Sequence, residues 1–208
     1  SATDWIKDCP ITTANNVTIK NDFVKFTNCT SLTSCKNLTI AEGVTSLENL
    51  LHGCTSLTSF LGFRIPDTVT NIYQMLYNCD NLTDISGMTF GSRITRATNW
   101  CNNGWSPIYA NNITIKNNVI NFKDKRRLKE CKNLSRPNST DWTSFFEGCT
   151  SLLEDIVFPQ NTTNVTNCFK GCTGMTHVHS NWNNSYDNGI TSTDCYAGCT
   201  GITHIDDV

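Results

Sequence analysis

One short phrase returns along this chain and limits what it can become. It reads Gly-Cys-Thr-Ser-Leu at 53–57 and 148–152, Gly-Cys-Thr-Gly-Met at 171–175 and Gly-Cys-Thr-Gly-Ile at 198–202, with looser forms at 28–32 and 78–82. The anchor cysteines are Cys29, Cys54, Cys79, Cys149, Cys172 and Cys199, and Trp105 and Lys125 are expected in the same slot of degenerate copies, a step of about 20 to 27 residues. A unit that short cannot bury an apolar face alone, so neighbours must stack and share one core.

A longer period overlies the short one. Asn15-Asn-Val-Thr-Ile-Lys-Asn21 returns as Asn111-Asn-Ile-Thr-Ile-Lys-Asn117, and Cys35-Lys-Asn-Leu38 returns as Cys131-Lys-Asn-Leu134, both 96 positions later. The expected organisation is an N-terminal cap or the end of a preceding repeat over 1–14, then two four-repeat blocks over 15–110 and 111–208. Within one copy Leu57, Phe60, Ile65, Val69, Ile72, Met75, Leu76 and Cys79 form one inward face that Leu82 and Ile85 resume. The Thr-rich stretch after each cysteine suits a brief strand pairing with the next rung about 4.8 Å away. The prediction is a leucine-rich-repeat-like solenoid, with short parallel β-strands on one face and turns with short helical or 3₁₀ segments on the other. Ile65-Pro66 and Phe158-Pro159 mark exits from strands, where a missing N–H is tolerated.

Charge sets the partner class. The net charge is -2 and only 16% of residues are charged, below the roughly 25% of ordinary domains, so nothing pulls the chain toward nucleic acid or an anionic membrane. No apolar run reaches the roughly 18 residues of a spanning helix. The sequence starts at Ser1 without an initiator Met or a signal pattern, which reads as a processed chain or a fragment.

Gly-Cys-Thr-Ser-Leu-Thr-Ser, then Ile-Pro, then Val-Thr-x-Ile resembles the BspA-like leucine-rich repeats of bacterial, protist and phage surface proteins. The resemblance covers nearly the whole chain, is clearest over 26–90 and 142–205, and lapses over 98–130. It implies adhesion or recognition at an extracellular, cell-surface or virion location.

Several groups of residues could carry chemistry. Cys54, Cys79, Cys149, Cys172 and Cys199 share one repeat slot; Cys101, Cys168 and Cys195 are read into another, four residues earlier, that elsewhere holds Leu50, Met75 or Phe145. Interchange with apolar residues favours a structural ladder of small buried thiols. Adjacent rungs also fall within disulfide range, and Cys168 with Cys172 and Cys195 with Cys199 leave a zinc pair open. His177, His179, His204 and Asp206 meet on matching strands and could hold a divalent metal, although exposed polar strand positions are the commoner outcome. Lys123, Lys125, Arg126, Arg127, Lys129 and Lys132 form one basic cluster, read as a solvated face or a contact for an acidic glycan or subunit. Sequons stand at Asn16, Asn28, Asn37, Asn81, Asn112, Asn133, Asn138, Asn161, Asn164 and Asn183, as glycan acceptors or as by-products of a repeat rich in Asn and Thr.

Catalytic signatures are missing: there is no nucleophile elbow, phosphate loop, His-Glu-x-x-His or dinucleotide fingerprint. The chain is therefore expected to be a non-enzymatic recognition module without a cofactor. Its ligand face is Thr58, Ser59, Thr83, Asp84, Thr176, His177, Thr203 and His204, and its partner a protein or glycan receptor. The alternative is a homo-oligomeric or virion assembly subunit, such as a phage tail or fibre component, in which the strand edge near Val208 needs a neighbour.

Overall fold

The computed structural model describes residues 6–101, 107–179 and 189–206. Equivalent residues of successive units pair in parallel, so the chain returns to the same place about once every 21 to 27 residues. One column runs Ser59, Asp84, Tyr109, Glu130, and resumes as Glu154, His177, His204. A second runs Arg64, Thr89, Thr114, Ser135, and a third holds Ser46, Asn71, Arg96 and then Asp141, Asn164, Thr191. The strands are two or three residues long: β1 Thr18–Ile19 with β2 Thr39–Ile40, β3 Thr89–Phe90 with β4 Thr114–Ile115, and β5 His177–His179 with β6 His204–Asp206. Each pair is parallel.

The expected helical side is built differently. Among the described residues there is no α- or 3₁₀-helix. Over 47–54 the amides of Leu50, His52 and Cys54 bond three residues back, to Leu47, Asn49 and Leu51, while the alternate amides of Asn49, Leu51 and Gly53 bond forward to Tyr73, Met75 and Tyr77 of the next unit. Half of the donors a helix needs are thus committed to stacking. The turns closed by Leu50 N and Cys54 N are type II, with the third residue in the left-handed region: Asn49 at φ 58° and Gly53 at φ 73°. A side chain on Gly53 would also collide with that of Asn28.

Asparagine is the commonest non-glycine residue in this conformation, at Asn16, Asn28, Asn37, Asn49, Asn78, Asn99, Asn112, Asn133 and Asn167, because its short amide tolerates positive φ. Five of the sequons, Asn16, Asn28, Asn37, Asn112 and Asn133, therefore sit where a turn demands Asn. The amide nitrogens of Asn37, Asn81, Asn133 and Asn138 also donate hydrogen bonds one unit back, to Asn16 Oδ1, Thr55 O, Asn112 Oδ1 and Lys116 O. Asn161 is exposed, and Asn164 Oδ1 caps its own turn through Thr166 N. Asn183 lies outside the described residues, as does Trp105.

The ten apolar residues read as one inward face, Leu57 through Ile85, are all buried. A file of aromatic rings runs through the second half: Phe122, Phe146, Phe169 and Tyr196 stack nearly parallel at centroid spacings of 5.9, 5.3 and 5.3 Å, close to the rise of one rung.

The cysteine slot has a further use. Each thiol reaches one unit back to a main-chain carbonyl: Cys54 to Phe26 O, Cys79 to Leu51 O, Cys149 to Phe122 O, Cys172 to Phe146 O and Cys199 to Phe169 O, at 2.9–3.1 Å. A small weak donor fits where the carbonyl needs a partner and a larger side chain would push the rungs apart. None of the twelve cysteines is joined in a disulfide. Burial pushes the Cys35, Cys79 and Cys195 thiols up to about 12 and those of Cys54, Cys149 and Cys172 higher still.

One register expectation needs correction. Cys101 pairs with Leu76, one column away from the Met75 column in which it was expected, and the amide of Leu76 bonds to Trp100 O. Cys168 and Cys195 do occupy the column of Phe145, since Phe146 N and Phe169 N bond to their carbonyls. Lys125 stands buried in the thiol slot with its Nζ 3.5 Å from Cys101 O, so the basic cluster loses one member to the interior, and Lys123 is paired with Glu147 at 2.8 Å.

The ladders lapse in two places. No backbone bond or bridge joins residues 33–41 to 57–66 among the described residues, and only Leu153 N to Lys129 O, at 3.2 Å, joins 129–135 to 153–158. The opposite side stays closed at both levels, through Phe26 N to Leu50 O at 2.7 Å and Phe122 N to Phe145 O at 2.9 Å. Each opening directly follows a 21-residue step, Thr12 to Thr33 and Ala110 to Cys131, where the next step lengthens to 25 or 24. At both places a short step is followed by a longer one, and the stack opens there as a wedge.

Candidate binding face and the carboxylate beneath it

The threonines before the first column hold the units together. Thr83, Thr176 and Thr203 each bond twice to the same carbonyl one rung back, through the backbone N and through Oγ1, on Thr58 O, Leu153 O and Thr176 O. Three of the four threonine hydroxyls expected on the ligand face therefore serve the ladder as donors and offer a partner only lone pairs. Thr58 is exposed, with no such bond because it borders the first opening.

Ser59, Asp84, His177 and His204 do lie in one bridged column, and the structure adds Tyr109, Glu130 and Glu154 to it. Tyr109 is 39% exposed. Asp84 Oδ1 closes its own turn on Ser86 N, and Glu130 Oε2 accepts from Asn111 Nδ2. The imidazoles of His177 and His204 stack at 4.7 Å, 12° apart, and each Nδ1 is 2.8 Å from the hydroxyl of the preceding threonine. The face is a file of mixed polar groups one rung apart, interrupted between Glu130 and Glu154.

His179 departs from the expected metal group. It turns to Asp155, whose carboxylate takes the His179 backbone N at 3.0 Å and its Nδ1, while Tyr196 Oη donates to Oδ2 at 2.6 Å. Among the described residues no group of three or more His, Cys, Asp or Glu side chains is arranged to hold a metal. The Asp155 side chain is 2% exposed. Burial pushes its carboxyl above the usual carboxylate range despite the lowering contributed by Tyr196 and His179. Burial and the adjacent Asp155 raise the Tyr196 phenol.

Sequence reasoning did not single out Asp155 or Tyr196. Asp155 occupies the inward position held by Phe60, Ile85, Ala110, Cys131 and Val178 in other rungs, and Tyr196 ends the aromatic file. The signal was present: aligning Cys149-Thr-Ser-Leu-Leu-Glu-Asp155 with Cys54-Thr-Ser-Leu-Thr-Ser-Phe60 sets a carboxylate where a core ring belongs.

A groove lies at each opening. The first, about 530 Å³, is mostly apolar, with Leu38, Ile40, Leu61 and Phe63 among its walls. The second, about 350 Å³, is mixed, with Lys132, Glu154, Asp155 and His179 beside Leu134 and Val157.

No family model matches the sequence, and a search of curated proteins finds no match. Among solved structures the chain is similar to a leucine-rich repeat protein from Bacteroides ovatus, with 17% identity and a TM-score of 0.39 over 99% of this chain and 63% of that one. It is also similar to a leucine rich cell surface protein from Faecalibacterium prausnitzii, with 14% identity and a TM-score of 0.35 over 92% of this chain and 79% of that one. The chain thus spans under two thirds of the Bacteroides protein. Both neighbours are leucine-rich repeat proteins; at these scores the fold of this chain rests on its own hydrogen-bond columns. No helix among the described residues is long and apolar enough to cross a membrane.

Proposed function

We propose that this protein is a non-enzymatic recognition module, a leucine-rich-repeat-like solenoid of two four-repeat blocks displayed at a cell or virion surface, that binds a protein or glycan along its outward strand column. The observation that carries this reading is the bridged file Ser59, Asp84, Tyr109 and Glu130, which presents one side chain per rung with a half-exposed phenol at its centre. A rigid row of hydroxyl, carboxylate and aromatic groups at fixed spacing suits an extended ligand. Most of the thiols and the hydrogen-bonded Asp155 are buried, so neither group offers an activated nucleophile on the outward column.

A glycan array and a protein-binding screen, run with the folded chain and with Tyr109→Ala, test the proposal. Ligands whose binding drops at least about tenfold in the variant support it, as expected for an aromatic anchor. An absence of ligands, or ligands indifferent to Tyr109, overturns it. Native mass read in parallel separates a displayed monomer from an assembly or fibre subunit.

A further inference from the structure

The first opening is more than a lapse in stacking. Where the ladder is closed, as between 58–65 and 83–90, four backbone bonds join the rungs: Thr83 N to Thr58 O, Phe60 N to Asp84 O, Thr89 N to Phe63 O and Ile65 N to Thr89 O, all 2.8–2.9 Å. The corresponding groups across the opening are Thr33 O, Cys35 N, Leu38 O and Ile40 N on one rung, and Thr58 N, Ser59 O, Arg64 N and Arg64 O on the other. None of them bonds another described residue. Two strand edges of the same direction therefore face one groove with their pairing capacity unused, and a sheet edge in that condition is a template for another strand.

The groove walls define the occupant. Leu38, Ile40 and Phe63 line it, Leu61 stands 59% exposed at its lip, and Arg64 is the one charged side chain among its lining residues. We infer that the opening between residues 33–40 and 58–65 binds an extended peptide segment of a partner protein, which adds as a strand along the 58–64 edge and carries apolar side chains toward Leu38, Ile40 and Leu61 and an acidic one toward Arg64. Main-chain bonds supply the affinity and the alternate side chains the selectivity. The peptide pairs with main-chain groups between rungs, whereas the recognition face is read through outward side chains; the two adjoin at Ser59, and Tyr109 lies two rungs from the opening.

The second opening limits the claim to the first. There Leu153 N keeps its bond to Lys129 O, and the inward position below the groove is the Asp155 carboxylate with His179 and Tyr196. That wall is polar and partly paired.

The test uses the whole chain and the synthetic peptide Thr-Asp-Ile-Ser-Gly-Met-Asp-Phe, a copy of residues 83–90 with an aspartate at the position of Thr89, which pairs with Arg64 along the other edge of 58–65 in the fold. Backbone amide exchange is followed by mass spectrometry with this peptide, with its scrambled form, and with a form N-methylated at alternate residues. The expected result is about tenfold slower exchange over 57–65 with the copied peptide alone, unchanged in Tyr109→Ala and lost in Leu61→Asp, a substitution at an exposed position that leaves the core intact. Equal protection by the N-methylated peptide overturns the proposal, because binding would then not run through the backbone. So does an absence of protection over 57–65 at millimolar peptide, whatever ligands the outward column takes.

Discussion

The two openings are 96 residues apart and arise in the same way, yet they differ in chemistry. At the first, Phe60 fills the inward position and the groove is apolar and unpaired. At the second, Asp155 fills that position, Tyr196 and His179 are bound to it, and one rung bond survives. Each opening comes directly after a 21-residue step, so both breaks coincide with the same change of backbone length. What stands in the gap is decided by one inward residue and its neighbours.

The largest expected effect comes from forcing the second chemistry onto the first site. Phe60→Asp buries a carboxylate with neither His nor Tyr partner and is expected to cost about 4 kcal/mol, read as a lower denaturant midpoint. A loss under about 1 kcal/mol would show that the first opening already admits water to that position. Next is Tyr196→Phe, which deletes one donor to a buried carboxylate and is expected to cost about 2 kcal/mol in the same assay. An unchanged midpoint would mean that solvent replaces the phenol.

A smaller effect is one of pH. Because the folded Asp155 carboxyl lies above its ordinary 3.8, the folded state holds that proton more tightly than the unfolded chain does. Its stabilising contribution is complete below 3.8 and is lost as pH climbs through the raised folded value. Stability measured across that interval is therefore expected to fall more steeply with rising pH in the wild type than in Asp155→Asn; parallel curves would refute the assignment. The smallest difference is between two threonines. Thr83→Val removes a hydroxyl bonded to Thr58 O and is expected to cost about 1 kcal/mol, whereas Thr58→Val at the opening is expected to cost about 0. Equal losses would show that the first gap closes in solution.

The stacking, the inward face and the thiol slot were legible because they follow from the period: Leu57, Phe60, Ile65 and their equivalents recur at one phase, and burial follows phase. The helical side was not legible, since Leu50 and Cys54 carry a spacing of three to four that a helix and a pair of type II turns share. The deciding feature is that Leu51 N and Gly53 N bond to the next unit, a long-range choice with no local signature except the Asn and Gly at positive φ. Of the ligand face, Ser59, Asp84, His177 and His204 came from the motif, while Tyr109 and Glu130 sit in copies whose motif has decayed and joined the column only through their bridges; Glu154 follows an intact copy and takes its place in the column through its bridge to His177. The openings depend on the difference between a 21- and a 25-residue step, visible in the spacing but without meaning until the columns are laid side by side.

The thiol slot has a practical consequence. Twelve cysteines would ordinarily make a chain hostage to its surroundings, needing an oxidant to mature and a reductant to avoid scrambling. Here none is joined in a disulfide, those of the slot are turned onto carbonyls, and burial holds most of them protonated. The same fold is then within reach of a reducing cell interior and of an aerobic exterior, and a purification with or without dithiothreitol should yield one species.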